Sequence, residues 1–122
     1  MKSLLLPLLA ALALPTAVSA EVIYLRCTGS SKWYPYFEVA INEAGNNVNV
    51  FGTRGKSASL KASSGNFLIE NYRSSTQETE IIYIDRISGK FDLKVLNRYG
   101  NSNSLKAGKG KCTKALIEKR AF

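Results

Sequence analysis

Three carboxylates, Glu78, Glu80 and Asp85, fall in one short stretch whose alternation reads as a strand. Paired carboxylates are the minimum equipment for glycoside hydrolysis, one serving as acid and the other as base or nucleophile. On a strand, such residues are ordinarily solvent-facing charges, and the chain lacks most of the usual catalytic partners. It contains no histidine, which removes Ser-His and Cys-His nucleophiles and imidazole acid–base chemistry. A zinc site would lack its usual nitrogen ligands. No Gly-rich loop with a following Lys and Ser or Thr offers a phosphate cradle, and no carboxylates have calcium-loop spacing. The expectation is a protein that is not an enzyme and carries no metal or cofactor.

What remains is recognition. Trp33-Tyr34-Pro35-Tyr36-Phe37 groups the only tryptophan with two tyrosines around a stiffening proline, and Lys32 adds a cation. On an exposed loop, Trp33, Tyr34 and Tyr36 would stack on sugars or bases, or anchor a partner protein. The simpler reading has Tyr36 or Phe37 opening a strand while the other rings cap the core. The second candidate is the basic C-terminal stretch, with Lys106, Lys109, Lys111, Lys114, Lys119 and Arg120 against the single acid Glu118. Extended, it places Lys109 and Lys111 on one face and Cys112 on the other. Such a stretch suits an anionic polymer or membrane face; its plain alternative is a solubilising surface. Aromatics are not interleaved with these lysines, which weakens a nucleic-acid reading.

The compartment follows from the N-terminus. Lys2 precedes an apolar run from Leu4 to Leu14, and Val18-Ser19-Ala20 supplies small residues for cleavage after Ala20. This pattern is that of a secretory signal peptide, residues 1–20, and the run is well short of the roughly twenty residues a spanning helix needs. The expected location is secreted or periplasmic, with no membrane span after cleavage. The remaining 102 residues, 21–122, make one domain with a charge of about +7. Of that charge, +5 lies from residue 106 onward. In an exported chain the two cysteines, Cys27 and Cys112, are most simply a disulfide. Free thiols or a metal pair are the alternatives.

Short alternating runs then position these groups. Val22–Cys27, Phe37–Asn42, the run from Val48, Ser59–Ala62, Phe67–Arg73, Glu80–Arg86 and Phe91–Leu96 read as strands, separated by Gly-, Asn- and Ser-rich breaks. Glu80–Arg86, Ile87-Ser88-Gly89-Lys90 and Phe91–Leu96 form a hairpin by pattern, with Ile82, Ile84, Phe91 and Leu93 inward. Ala115–Lys119 reads as one helical turn or an extended tail. Seven or eight short strands without a long helix predict an all-β antiparallel meander. Closing it into a small barrel removes the open edges, and a β-sandwich is the second choice. A Cys27–Cys112 bridge would bring the first and last strands together and favours the barrel.

Two features carry a resemblance. The leader from Leu4 to Val18 resembles those of small exported cyanobacterial proteins of unknown function. Tyr24-x-x-Cys27, Ile84-x-Arg86-x-Ser88-Gly89-x-Phe91 and Gly110-x-Cys112 together are similar to a pattern in uncharacterised secreted bacterial domains, with Ser88 where threonine is usual. The resemblance implies a disulfide-closed β fold and no activity. The functional expectation is a non-catalytic binding or envelope-associated module, whose partner is an anionic envelope polymer or another protein. The alternative is an inhibitor of a secreted hydrolase, for which the positive charge favours acidic targets over basic lysozymes.

Overall fold

The structure, a computed structural model, describes residues 22–115. The leader and residues 116–122 lie outside the described residues, and with them Lys119, Arg120 and nearly all of the expected 115–119 turn or tail. Eight strands follow one another: β1 (Ile23–Gly29), β2 (Tyr36–Asn42), β3 (Asn47–Phe51), β4 (Ser57–Ala62), β5 (Asn66–Arg73), β6 (Glu78–Asp85), β7 (Lys90–Leu96) and β8 (Gly108–Lys114). One 3-10 turn, Ser104–Lys106, precedes β8, and no α-helix occurs among the described residues. All pairings are antiparallel, in the order β3-β2-β1-β8-β7-β6-β5-β4. This is an up-and-down meander rolled into a nearly closed barrel, as the sequence predicts.

Period-two alternation builds the interior. Leu25 and Cys27, then Phe37, Val39 and Ile41, then Phe67 and Ile69, point inward with Ile82, Ile84, Phe91, Leu93 and Val95. Phe37 and Phe91 meet edge to face at 5.1 Å. The β6–β7 hairpin turns through Arg86–Gly89, where Gly89 adopts φ +81 and the Asp85 carboxylate caps the turn by accepting from the Ile87 and Ser88 amides. Those amides hold the Asp85 carboxyl below its usual range.

The first and last strands are joined twice. β1 pairs with β8, and Cys27 lies directly opposite Cys112 in that ladder, bridged by a disulfide across 85 residues. Closing a loop of this length stabilises by about 4–5 kcal/mol in the chain-entropy account. The bridge suits an oxidising setting. Close approach also needs Gly110. A Cβ there would strike the Thr28 carbonyl oxygen and come within 2.7 Å of the Phe91 ring, which covers the glycine.

The barrel's one unbonded seam lies not between its ends but between consecutive strands, β3 and β4. The connection between them, residues 52–56, is held by bonds to other strands. Glu80, buried on β6, accepts the amides of Arg54 (3.0 Å) and Gly55 (3.1 Å) on one carboxylate oxygen. Its other oxygen accepts from Asn71 Nδ2 at 2.9 Å, and the same amide group donates to Thr53 Oγ1 at 3.1 Å. The Lys56 amide donates to the Tyr72 carbonyl on β5 at 2.7 Å. A buried carboxylate thus ties the connection to the barrel wall. An open depression of about 300 Å³ remains at the seam, lined in part by Asn49, Phe51 and Ala58.

Candidate functional site

Antiparallel succession sends the β1–β2, β3–β4, β5–β6 and β7–β8 connections to one end of the barrel, here the upper end. The aromatic segment lies there. The Ser31 hydroxyl accepts the amides of Trp33 and Tyr34, both at 3.1 Å, and so fixes the loop. The segment then divides. Trp33 keeps 41% of its surface exposed, and Tyr36, on the outer face of β2, keeps 44%. Tyr34 is 3% exposed. Its ring therefore packs into the core and offers no stacking face, unlike the expectation for an exposed aromatic. Burial, and next the nearby Glu80 carboxylate, hold the Tyr34 hydroxyl far above the ordinary phenol range. The Tyr36 hydroxyl donates to Glu38, which raises its pKa.

The three carboxylates do not form a pair of free catalytic groups. Glu80 is occupied at the seam. Glu78 accepts from Lys106 Nζ at 2.9 Å and from Thr76, and the Lys106 bond foremost lowers its pKa. Asp85 sits at the opposite, lower end as a turn cap. Among the described residues no cluster of Cys, Asp or Glu is arranged to hold a metal ion.

The lysines sort by strand parity. Lys109 and Lys111 point outward from β8 and Cys112 inward. Lys114 shares the parity of Cys112 and lines the lower mouth of the barrel with Ile23 and Asp85, so it stands apart from the other two. Lys106 is engaged with Glu78. In place of these, the fold brings in cations from distant sequence. Lys90 and Lys94 project outward from β7, and Arg26 from β1. Lys90 lies directly opposite Lys111, and Asp92 opposite Lys109. Five cations, Arg26, Lys90, Lys94, Lys109 and Lys111, thus share the outer surface of β7, β8 and β1 with Asp92, and Glu38 adjoins it from β2. Both carboxylates hold loosely: Asp92 is 3.9 Å from Lys109, with both side chains mostly exposed, and Glu38 is 3.8 Å from Arg26.

The face continues across β6 and β5 as a shallow groove of about 680 Å³ with Leu68, Ile81 and Tyr83 on its floor and Lys94 and Lys109 at its rim. The Tyr83 hydroxyl accepts from Asn66 Nδ2 at 2.9 Å. Arg26, Lys90 and Lys94 are the functional candidates that the linear reading misses. A signal existed: a Cys27–Cys112 bridge in register sets β1 beside β8, and parity then turns Arg26 to the lysine side.

No protein-family model matches the chain, and neither the curated proteins nor the solved structures contain a match.

Proposed function

We propose that this chain is a non-catalytic binding module of an oxidising compartment, secreted or periplasmic, that holds an anionic envelope polymer on the outer surface of β7, β8 and β1. The observation that carries the reading is Lys90 directly opposite Lys111, flanked by Lys94 and Lys109. Like charges facing each other across a ladder cost stability. A chain of anions laid over them relieves that repulsion and releases its own counterions. The engagement of Glu78, Glu80 and Asp85 in structural bonds supports a role without catalysis.

The test is salt elution from immobilised polygalacturonate and immobilised DNA. The wild type is expected to bind at least one matrix and to leave it at rising salt, because counterions compete for the same charges. Replacing Lys90, Lys94, Lys109 and Lys111 with Gln is expected to lower retention and flatten the salt dependence, with the melting midpoint unchanged or raised. Equal retention of wild type and variant, or no salt-sensitive retention at all, would reduce the face to a solvated surface.

A further inference from the structure

Three arginines in this barrel lie over aromatic rings. Arg98, 4.9 Å from the centre of the adjacent Tyr99 ring, donates to the Gln77 side-chain oxygen at 3.3 Å. The other two, Arg86 and Arg54, lie one at each end and differ in what their donors meet. At the lower end, Arg86 sits 4.3 Å from the centre of the Phe67 ring. Its N–H edge is filled by the protein: NH1 and NH2 donate to the two oxygens of Glu43 at 2.9 and 3.0 Å, and NH1 also to the Ser63 carbonyl. At the upper end, Arg54 sits 4.6 Å from the centre of the Trp33 ring. Its guanidinium has no acceptor and no ion pair among the described residues.

A guanidinium over a ring spends its π face on the ring and keeps its planar fork of donors for an acceptor. Arg54 is also held ready. Its own amide is bound to buried Glu80, its guanidinium rests on the Trp33 ring, and the Trp33 backbone is set by the Ser31 hydroxyl, so part of the ordering is done before a ligand arrives. The surroundings favour an anion. Lys32, Lys56, Arg73, Arg98 and Lys106 also belong to the upper end, where the carboxylates Glu78 and Glu80 are already engaged.

We infer that Arg54 and Trp33 form a recognition site for the carboxylate of a uronic-acid residue. The Arg86–Glu43 pair shows the geometry in this same fold: a carboxylate gripped through both oxygens by a ring-stacked guanidinium. Trp33, with the Arg54 guanidinium 4.6 Å and Lys106 Nζ 4.9 Å from its ring centre, gives its faces to cations and so orients the guanidinium toward the ligand rather than stacking on the sugar itself. The loop that carries it adjoins the start of β8, where a Cβ on Gly108 would strike Ser31, so the upper end borders the lysine face. The site deepens the polymer-binding reading by naming the polymer's chemistry.

Trp33 is the only tryptophan, so its fluorescence reports this site alone. Titration with trigalacturonate is expected to change the emission. The methyl ester of the same trisaccharide, which lacks the charges, is expected to leave it unchanged. Arg54→Lys keeps the charge but loses the fork, and is expected to weaken the response about tenfold while melting like the wild type. No response to trigalacturonate, or an undiminished one in Arg54→Lys, overturns the site. An equal response to hexaglutamate or inorganic phosphate overturns the sugar assignment. Failure of the lysine face would show separately, as loss of salt-sensitive retention on the matrices with the Trp33 response intact.

Discussion

Replacement of Glu80 tests the central structural argument, that one buried carboxylate holds the β3–β4 seam. Its two oxygens accept three hydrogen bonds, from the Arg54 and Gly55 amides and from Asn71. Glu80→Ala leaves the Gly55 amide and one N–H of Asn71 unpaired in a buried site, and the Arg54 amide in a half-buried one. An orphaned buried donor costs about 1–3 kcal/mol. Part of that total is offset, because removing the carboxylate also removes its own desolvation penalty. The expected net loss is about 3–5 kcal/mol, a large share of the 5–15 kcal/mol typical of a domain. In a chain of this size that lowers the melting midpoint by more than about 12 °C. Glu80→Gln retains one acceptor oxygen but sets its new amide donor against Asn71, and the expected loss is smaller, about 1–2 kcal/mol. Chemical denaturation supplies the free energies. Amide exchange supplies the location: protection at Arg54 and Gly55 falls first, ahead of the β6–β7 hairpin. An Ala variant within about 1 kcal/mol of wild type, or one whose connection exchanges no faster, would refute the pinning role.

Three further outcomes follow from the same geometry. Replacing Cys27 and Cys112 together with Ala is expected to cost about 2–5 kcal/mol by denaturation, while mass analysis with and without reduction should find no alkylatable thiol in the unreduced protein. Gly110→Ala, which drives a methyl into the Thr28 carbonyl and the Phe91 ring, is expected to cost about 1–3 kcal/mol and to loosen β1 from β8 in amide exchange. Tyr34 is held protonated by burial and by Glu80, so its folded pKa exceeds the unfolded value of 10.0. Its contribution is therefore complete below that pH and is lost above it, as the unfolded chain ionises. The stability of wild type relative to Tyr34→Phe should fall by about 1.4 kcal/mol per pH unit above pH 10, and a constant difference in alkaline denaturation curves would count against the buried phenol.

Much of the barrel is local in origin. Alternation from Ile23 to Cys27, from Phe37 to Ile41 and from Phe91 to Val95 assigns each strand an inner and an outer face without reference to any neighbour. The Ser88-Gly89 turn and the even cysteine count are equally short-range or compositional signals. Together they indicate seven or eight strands, the β6–β7 hairpin and, as the simplest reading, the pairing of Cys27 with Cys112, and the structure has all three. Four facts needed the folded chain. The seam falls at β3–β4, and there Glu80, from a strand 25 residues beyond Gly55, captures the connection's amides. Tyr34 is buried and Trp33 is not because Glu80 and the barrel's upper end lie beneath only one of two adjacent rings. Lys114 lines the lower mouth beside Ile23 and Asp85, residues of β1 and β6 that meet it only in the rolled sheet. Arg26, Lys90 and Lys94 join the tail lysines through ladders between β1, β8 and β7. The physical reason is common to all four. Side-chain direction along a strand is set by the chain's own covalent geometry, whereas charge density and burial depend on which strands lie side by side, and that is decided only when the sheet closes.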